Sequence, residues 1–478
     1  MQSTGLPVRW HWGSPMSEEK DSEDEDWSNY ASAGYGSAYD PWADLVPLEE
    51  EEEEEISDYD LELEEFMVST PPPSDDGLDN LVKLGACNYC IARLSGKTFT
   101  WNDAEQLGAS LRDASINRGT SNSEDVEYCP FCEDLFVDVK EIAEQVVNQL
   151  SEFEFKKLQL GAHFAKDQVI AEDDLRTQFG ATGSQALKSA FNDALSAQLS
   201  AKLGDAELVK EQPEVMLLID TLTLEPSIEL RSLYLYGRYR KLERGIPQTR
   251  WPCRSCKGRD GGCESCEGTG QQYATSVQDQ IGEPLRAAFD ARDTAFHGMG
   301  REDIDVRCLG RGRPFVIEMK SPKRRYADLA EMTELVNSTS AGRVEIDELR
   351  QSRRSEVARI KGTDADKSYT IRFKIDGECD SAKVEDTIAS LEGVTLEQQT
   401  PQRVAHRRAD KVRKRKVTSI TNIATEGDEA QMEVRVESGT YVKELVHSDE
   451  GRTVPSIAGL LELPCEVIWL DVNDVHAD

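Results

Sequence analysis

Apolar positions recur at helical spacing in two stretches, residues 137–150 (VDVKEIAEQVVNQL) and 186–203, where they fall on one face of a helix. Shorter apolar runs, Val215–Leu224 (VMLLIDTLTL) and Leu230–Tyr239, predict strands. Further along, Ile304, Val306 and Cys308 alternate with polar residues, Asp366–Phe373 is strand-like, and Glu433–Glu437 alternates again. The last of these runs into Ser438-Gly439, a turn, and then a helix opening at Thr440 with Lys443 in its first turn. Helices mixed with strands predict an α+β protein, with a small α/β unit followed by a larger, strand-rich one.

The first 80 residues break this pattern. They hold the Glu49–Glu55 run and the Pro71–Pro73 cluster, and they carry too little apolar surface to offset the entropy of ordering. The expected organisation is therefore an acidic disordered tail (1–80), a first folded domain (81–245) and a second (246–478). Met67 offers an internal start. With 55 Lys+Arg against 91 Asp+Glu, the net charge of −36 argues against a nucleic-acid partner at low salt. Near molar salt the Debye length falls to about 3 Å, and the objection lapses. The charge is thus read as the adaptation of a halophile. No run approaches the ~20 apolar residues of a membrane span, and no signal peptide opens the chain, so a cytoplasmic location is expected.

In a reducing compartment, paired cysteines point to metal rather than disulfides. Cys87/Cys90 and Cys129/Cys132 are two Cys-x-x-Cys pairs, each able to supply one corner of a tetrahedral Zn²⁺ site. The 38 residues between them (91–128) require a small subdomain. Cys253, Cys256, Cys263 and Cys266 form a second set, set among glycines that suit a compact zinc knuckle. Both sets are expected to hold structural Zn²⁺, while Cys308, Cys379 and Cys465 are expected in the core.

The candidate chemistry lies in Gly298–Cys308 (GMGREDIDVRC). On a strand, Asp303, Asp305 and Arg307 would share one face, with Arg301 and Arg307 as neighbouring cations. Spacing alone does not choose between the two aspartates, nor between a nucleophile and a strand-edge salt bridge. Tyr369 adds an aromatic with a polar handle. Residues 403–416 (RVAHRRADKVRKRK) form a basic island in an acidic chain, which marks Arg403, Arg407, Arg408, Lys411 and Arg413 as candidate phosphate contacts.

In this order, these blocks resemble the pseudouridine synthases, and most closely the archaeal and eukaryotic family that modifies positions 54 and 55 of the tRNA TΨC arm. The resemblance covers roughly residues 81–475. It implies a zinc-containing THUMP-type RNA-binding domain and a catalytic domain built on a mixed, mainly antiparallel sheet. Gly300-Arg-Glu-Asp303 matches the form in which that superfamily holds its nucleophile, which selects Asp303 over Asp305. Tyr369 in KSYT corresponds to the tyrosine that stacks on the target uracil. In SGTYVKEL, Lys443 corresponds to the basic partner of the aspartate, Leu445 to its apolar neighbour and Tyr441 to a substrate contact. Arg301 is carried over as a further substrate contact. The implied activity is isomerisation of a tRNA uridine by a monomer with no catalytic cofactor. The rivals are a non-catalytic zinc-containing RNA-binding protein and a THUMP-type tRNA methyltransferase or thiolase. The chain lacks the glycine-rich nucleotide-binding loops those two enzymes need.

Overall fold

The computed structural model describes residues 71–120, 127–259, 261–407 and 409–477. The predicted helices are found at Leu135–Leu150 and Leu187–Ser200, each burying its apolar stripe. They pack on a four-stranded sheet of order β2-β1-β3-β4. Its strands are β1 (Lys157–His163), β2 (Glu207–Leu208), β3 (Val215–Asp220) and β4 (Pro226–Leu230). β1 runs parallel to β2 and β3, while β4 returns antiparallel. The run Val215–Leu224 stops as a strand at Asp220, whose carboxylate accepts from Leu222 and Thr223 to make a turn.

The expected disordered tail is too long by its last ten residues. Residues 1–70 lie outside the described residues, but Asp75–Lys83 is a helix. Ser74 caps it by accepting from the Gly77 amide at 3.1 Å, and Leu81 and Val82 are buried in the first domain's core. Acidic composition alone concealed this, because Asp75 and Asp76 sit in the first turn, where the helix dipole favours them.

The second sheet has ten strands in the order β13-β10-β11-β12-β9-β14-β7-β5-β8, with β6 paired to β7. They are β5 (Leu233–Lys241), β6 (Asp293–Gly298), β7 (Arg307–Lys320), β8 (Val344–Ser352), β9 (Asp366–Ile375), β10 (Thr395–Gln399), β11 (Val412–Glu426), β12 (Glu429–Val436), β13 (Thr453–Val454) and β14 (Cys465–His476). β14–β7 is its one parallel pairing among the described residues. β5 belongs to this larger sheet, so the chain leaves the first sheet between Leu230 and Leu233 rather than near 245. The two units are tied where the Arg325 guanidinium donates to the Arg231 carbonyl (2.7 Å) and the Tyr326 hydroxyl to Glu214 (2.6 Å). Burial and Glu214 push the Tyr326 phenol well up, which keeps it a donor.

Candidate active site

The segment carrying Asp303 is not a strand. β6 ends at Gly298 and β7 begins at Arg307, and between them Val306 N–H closes a turn on the Asp303 carbonyl at 3.1 Å. The carbonyls a ladder would use are bound elsewhere: those of Asp303 and Ile304 both accept from the buried Lys241 ammonium at 3.2 Å, and that of Ile304 also from the Gly245 amide at 2.9 Å. Gly300 has φ +74°, and a Cβ there would stand 3.2 Å from Arg313 Nη1, so glycine lets the loop descend onto that guanidinium. Asp303, Asp305 and Arg307 therefore share no strand face. The turn instead sends both carboxylates toward the helix Val442–His447.

The cations beside Asp303 also differ from the expected pair. Arg307 is committed to the buried Asp471 at 2.6 Å, and Arg301 lies over the Trp251 ring at 5.0 Å. Arg403 and Lys443 take their place. Arg403 Nη1 is 3.1 Å from Asp303 Oδ2, and Lys443 Nζ is 3.5 Å from the same oxygen. Lys443 is closer to Asp305, at 2.8 Å, so it bridges the two carboxylates. Burial acts to raise the Asp305 carboxyl, but Lys443 outweighs it and holds that group below the usual carboxylate range. Arg403 also binds Glu444 through Nε at 2.7 Å, and that carboxylate is fully buried. Burial works against the Arg403 cation, yet Glu444 and Asp303 more than offset it and push its pKa up.

Tyr369, on β9, is paired with Val434 and Val472 and is half-buried. Its phenol is pushed up to about 12, chiefly by burial, with the Asp303 carboxylate among the smaller contributors. The remaining motif residues are more deeply placed. Leu445 is fully buried in the core and offers no free surface as a substrate contact. Tyr441 is 9% exposed, with its backbone N–H and C=O both bound by the Gln398 amide at 2.9 and 2.8 Å.

Of the basic island, Arg403 is drawn into the site, Lys411 is exposed, and Arg413 donates to Thr400 Oγ1 at 2.8 Å. The Arg407 side chain and all of Arg408 lie outside the described residues. Sequence reasoning missed Arg403 as a partner of Asp303, and it missed Glu444. It also missed a buried group in which Tyr239, Lys241 and Arg313 lie beneath the loop and Glu302 comes from the loop itself. A readable signal existed, since Lys241 and Arg313 occupy inward positions of strands that are otherwise apolar there.

The cysteines gather as spacing predicted. Cys87, Cys90, Cys129 and Cys132 form one set and Cys253, Cys256, Cys263 and Cys266 another, with the sulfurs of each within 4.8 Å of one another. Sulfur separations of 3.7 Å (Cys87–Cys132) and 3.8 Å (Cys253–Cys263 and Cys256–Cys266) match the ~3.8 Å edge of a tetrahedron with ~2.3 Å metal–sulfur bonds. Either set could hold a metal ion. Helices Asn88–Leu94 and Ala104–Asn117 fill the interval between the first two pairs. In that domain the buried Arg93 reaches Cys90 Sγ at 3.5 Å and Glu172 at 2.6 Å.

Comparison with known proteins gives this architecture a class. Residues 234–476 match the family described as "Pus10, C-terminal", and residues 142–220 match "Pus10 THUMP domain, archaeal". The protein named "tRNA pseudouridine synthase Pus10" from Halorubrum lacusprofundi is 37% identical over 403 residues, spanning 82% of this chain and 93% of its own length. Its namesake from Methanothrix thermoacetophila is 39% identical over 371 residues, 77% of this chain and 81% of that one. That from Archaeoglobus fulgidus is 36% identical over 347 residues, 72% and 94% respectively. The chain belongs to the Pus10 family of tRNA pseudouridine synthases, which are isomerases. Among the described residues, no helix is long and apolar enough to cross a membrane.

Proposed function

We propose that the chain isomerises uridine 54, uridine 55 or both in the TΨC loop of tRNA, with Asp303 as the nucleophile. The observation that carries this reading is the grip of Arg403 and Lys443 on one oxygen of a partly exposed Asp303, at 3.1 and 3.5 Å. A carboxylate so oriented suits attack at a sugar carbon.

The target base must first leave the folded loop, at a cost of a few kcal/mol. Stacking on Tyr369 would return about 1–3 kcal/mol of that. Because its phenol stays protonated, Tyr369 presents a neutral ring to the uracil. Asp303 then attacks C1′ of the ribose as the N1–C1′ bond breaks, and the bonding pair leaves on uracil N1. The ring turns in place, C5 forms the new bond to C1′, and the aspartate departs with the electron pair it had supplied. The C5 proton is lost and N1 is reprotonated, so atoms and electrons balance with no redox partner.

Each cysteine set is read as holding a structural Zn²⁺, since four thiolates leave no open coordination position for chemistry. The exposed Lys411 and the neighbouring Arg413 are read as contacts to tRNA phosphates. The decisive test is pseudouridine mapping in an unmodified tRNA transcript with wild type, Asp303→Ala and Asp305→Ala. The reading expects loss of product only with the first variant, and it fails if the two aspartates exchange roles.

A further inference from the structure

The Asp303 loop has no regular secondary structure, yet four of its carbonyls are held by side chains from beneath. Arg313 Nη1 donates to Met299 (2.9 Å), Gln248 Nε2 to Gly300 (3.0 Å), and Lys241 Nζ to Asp303 and Ile304 (both 3.2 Å). These donors are interlocked. Glu302, itself in the loop, accepts from the Tyr239 hydroxyl (2.8 Å) and pairs with Arg313 Nε (2.9 Å), with Lys241 at 4.0 Å. Gln248 donates to the Tyr239 oxygen (2.8 Å), which leaves the Tyr239 proton for Glu302. Glu302, Arg313, Tyr239, Lys241 and Gln248 are each at most 5% exposed.

Charges this deep are costly unless paired and fully hydrogen-bonded, and apolar side chains would fill the same space more cheaply. None of the five is near enough to solvent to bind RNA. What the cluster does achieve is to fix the backbone on both sides of Asp303, including the Asp303 carbonyl itself. The geometry points to Lys241 and Glu302 as positioning residues that, through Tyr239 and Arg313, set where the Asp303 carboxylate stands. Misplacing a reacting group by about 1 Å costs on the order of a hundredfold in rate.

This inference rests on Asp303 being the nucleophile, so Asp303→Ala is run in parallel. Lys241→Met keeps the stem and removes the donor. Tyr239→Phe keeps the ring against Phe296 and Phe315 and removes only the hydroxyl that ties Glu302 to Gln248. The readouts are the single-turnover rate on an unmodified tRNA transcript with enzyme in excess, the Kd for that transcript, and the folded fraction by circular dichroism. The expected result is a rate lower by about tenfold for Tyr239→Phe and more for Lys241→Met, with Kd unchanged and folding complete. A purely structural cluster would lower the melting temperature and leave the rate of the folded enzyme intact; that result overturns the inference. If Lys241→Met does not fold, Tyr239→Phe alone decides. Full activity in Asp303→Ala would instead remove the reading on which the inference stands.

Discussion

Arg403 holds Asp303 and Glu444 at once, with Nη1 3.1 Å from the first carboxylate and Nε 2.7 Å from the second. The two acids are unlike. Asp303 is 38% exposed at its side chain and Glu444 only 1%, so Arg403 is anchored on a buried acid and reaches a partly exposed one. Replacing Arg403 by alanine would leave Glu444 buried and uncompensated, destabilising the fold by about 1–3 kcal/mol. The double variant Arg403→Ala/Glu444→Gln recovers much of that stability and none of the rate. Melting curves and single-turnover rates on the same samples check this; recovery of both would mean that Arg403 serves the fold alone.

Tyr369→Ala is expected to weaken turnover by the equivalent of about 1–3 kcal/mol of lost stacking, whereas Tyr369→Phe keeps the ring and most of the rate. Because burial pushes the Tyr369 phenol up to about 12, it stays protonated near neutral pH, and the phenylalanine variant should share the wild-type pH–rate profile from about pH 6 to 10. A profile that changes shape in that range would give the hydroxyl a role in proton transfer.

Beside the loop, Lys367 is held at about 8 by burial and by Arg313, below the ordinary lysine value of 10.5. With the folded value lowered, the unfolded chain binds more protons between pH 8 and 10.5, so stability rises with pH across that window. Lys367→Met should raise the melting temperature at pH 7 by about 2–4 °C, the effect of about 1 kcal/mol in a domain of this size. The gain should shrink to nothing by pH 10.5. A gain that persists at high pH would trace to packing instead of charge.

Much of the site was legible from local pattern. The strand carrying Tyr369 and the turn and helix that present Lys443 follow from alternation, a glycine and helical spacing, all of which act over a few residues. The partnership of Arg403 with Asp303 spans 100 residues of chain, and nothing local marks it. The strand expected at 304–308 failed for a related reason. Its Ile304 carbonyl is claimed by the buried Lys241, 63 residues earlier, and its Asp305 carbonyl by Arg244, and these hydrogen bonds override the period-two pattern. The cysteine sets were readable because metal geometry imposes its own spacing.

Each cysteine set should retain metal through purification, giving about two zinc ions per chain by elemental analysis, and Cys256→Ser should remove one of them. Chelation should lower the melting temperature. A metal content well below one per chain would contradict the structural-zinc reading of both sets.

The net charge of −36 predicts strong self-repulsion at low salt. The melting temperature should climb steadily from about 0.2 to 3 M KCl, as the Debye length shrinks several-fold. A flat or falling curve would set aside the halophilic interpretation of the acidic surface.

The central claim is that Asp303 performs the isomerisation with Arg403 and Lys443 holding its carboxylate. The most direct measurement is pseudouridine mapping at positions 54 and 55 of an unmodified tRNA transcript after incubation with excess Asp303→Ala protein, beside Asp305→Ala and wild type. Asp303→Ala is expected to give no conversion despite unchanged tRNA binding, while the other two convert the transcript. Pseudouridine formed by Asp303→Ala at a rate near wild type would contradict it.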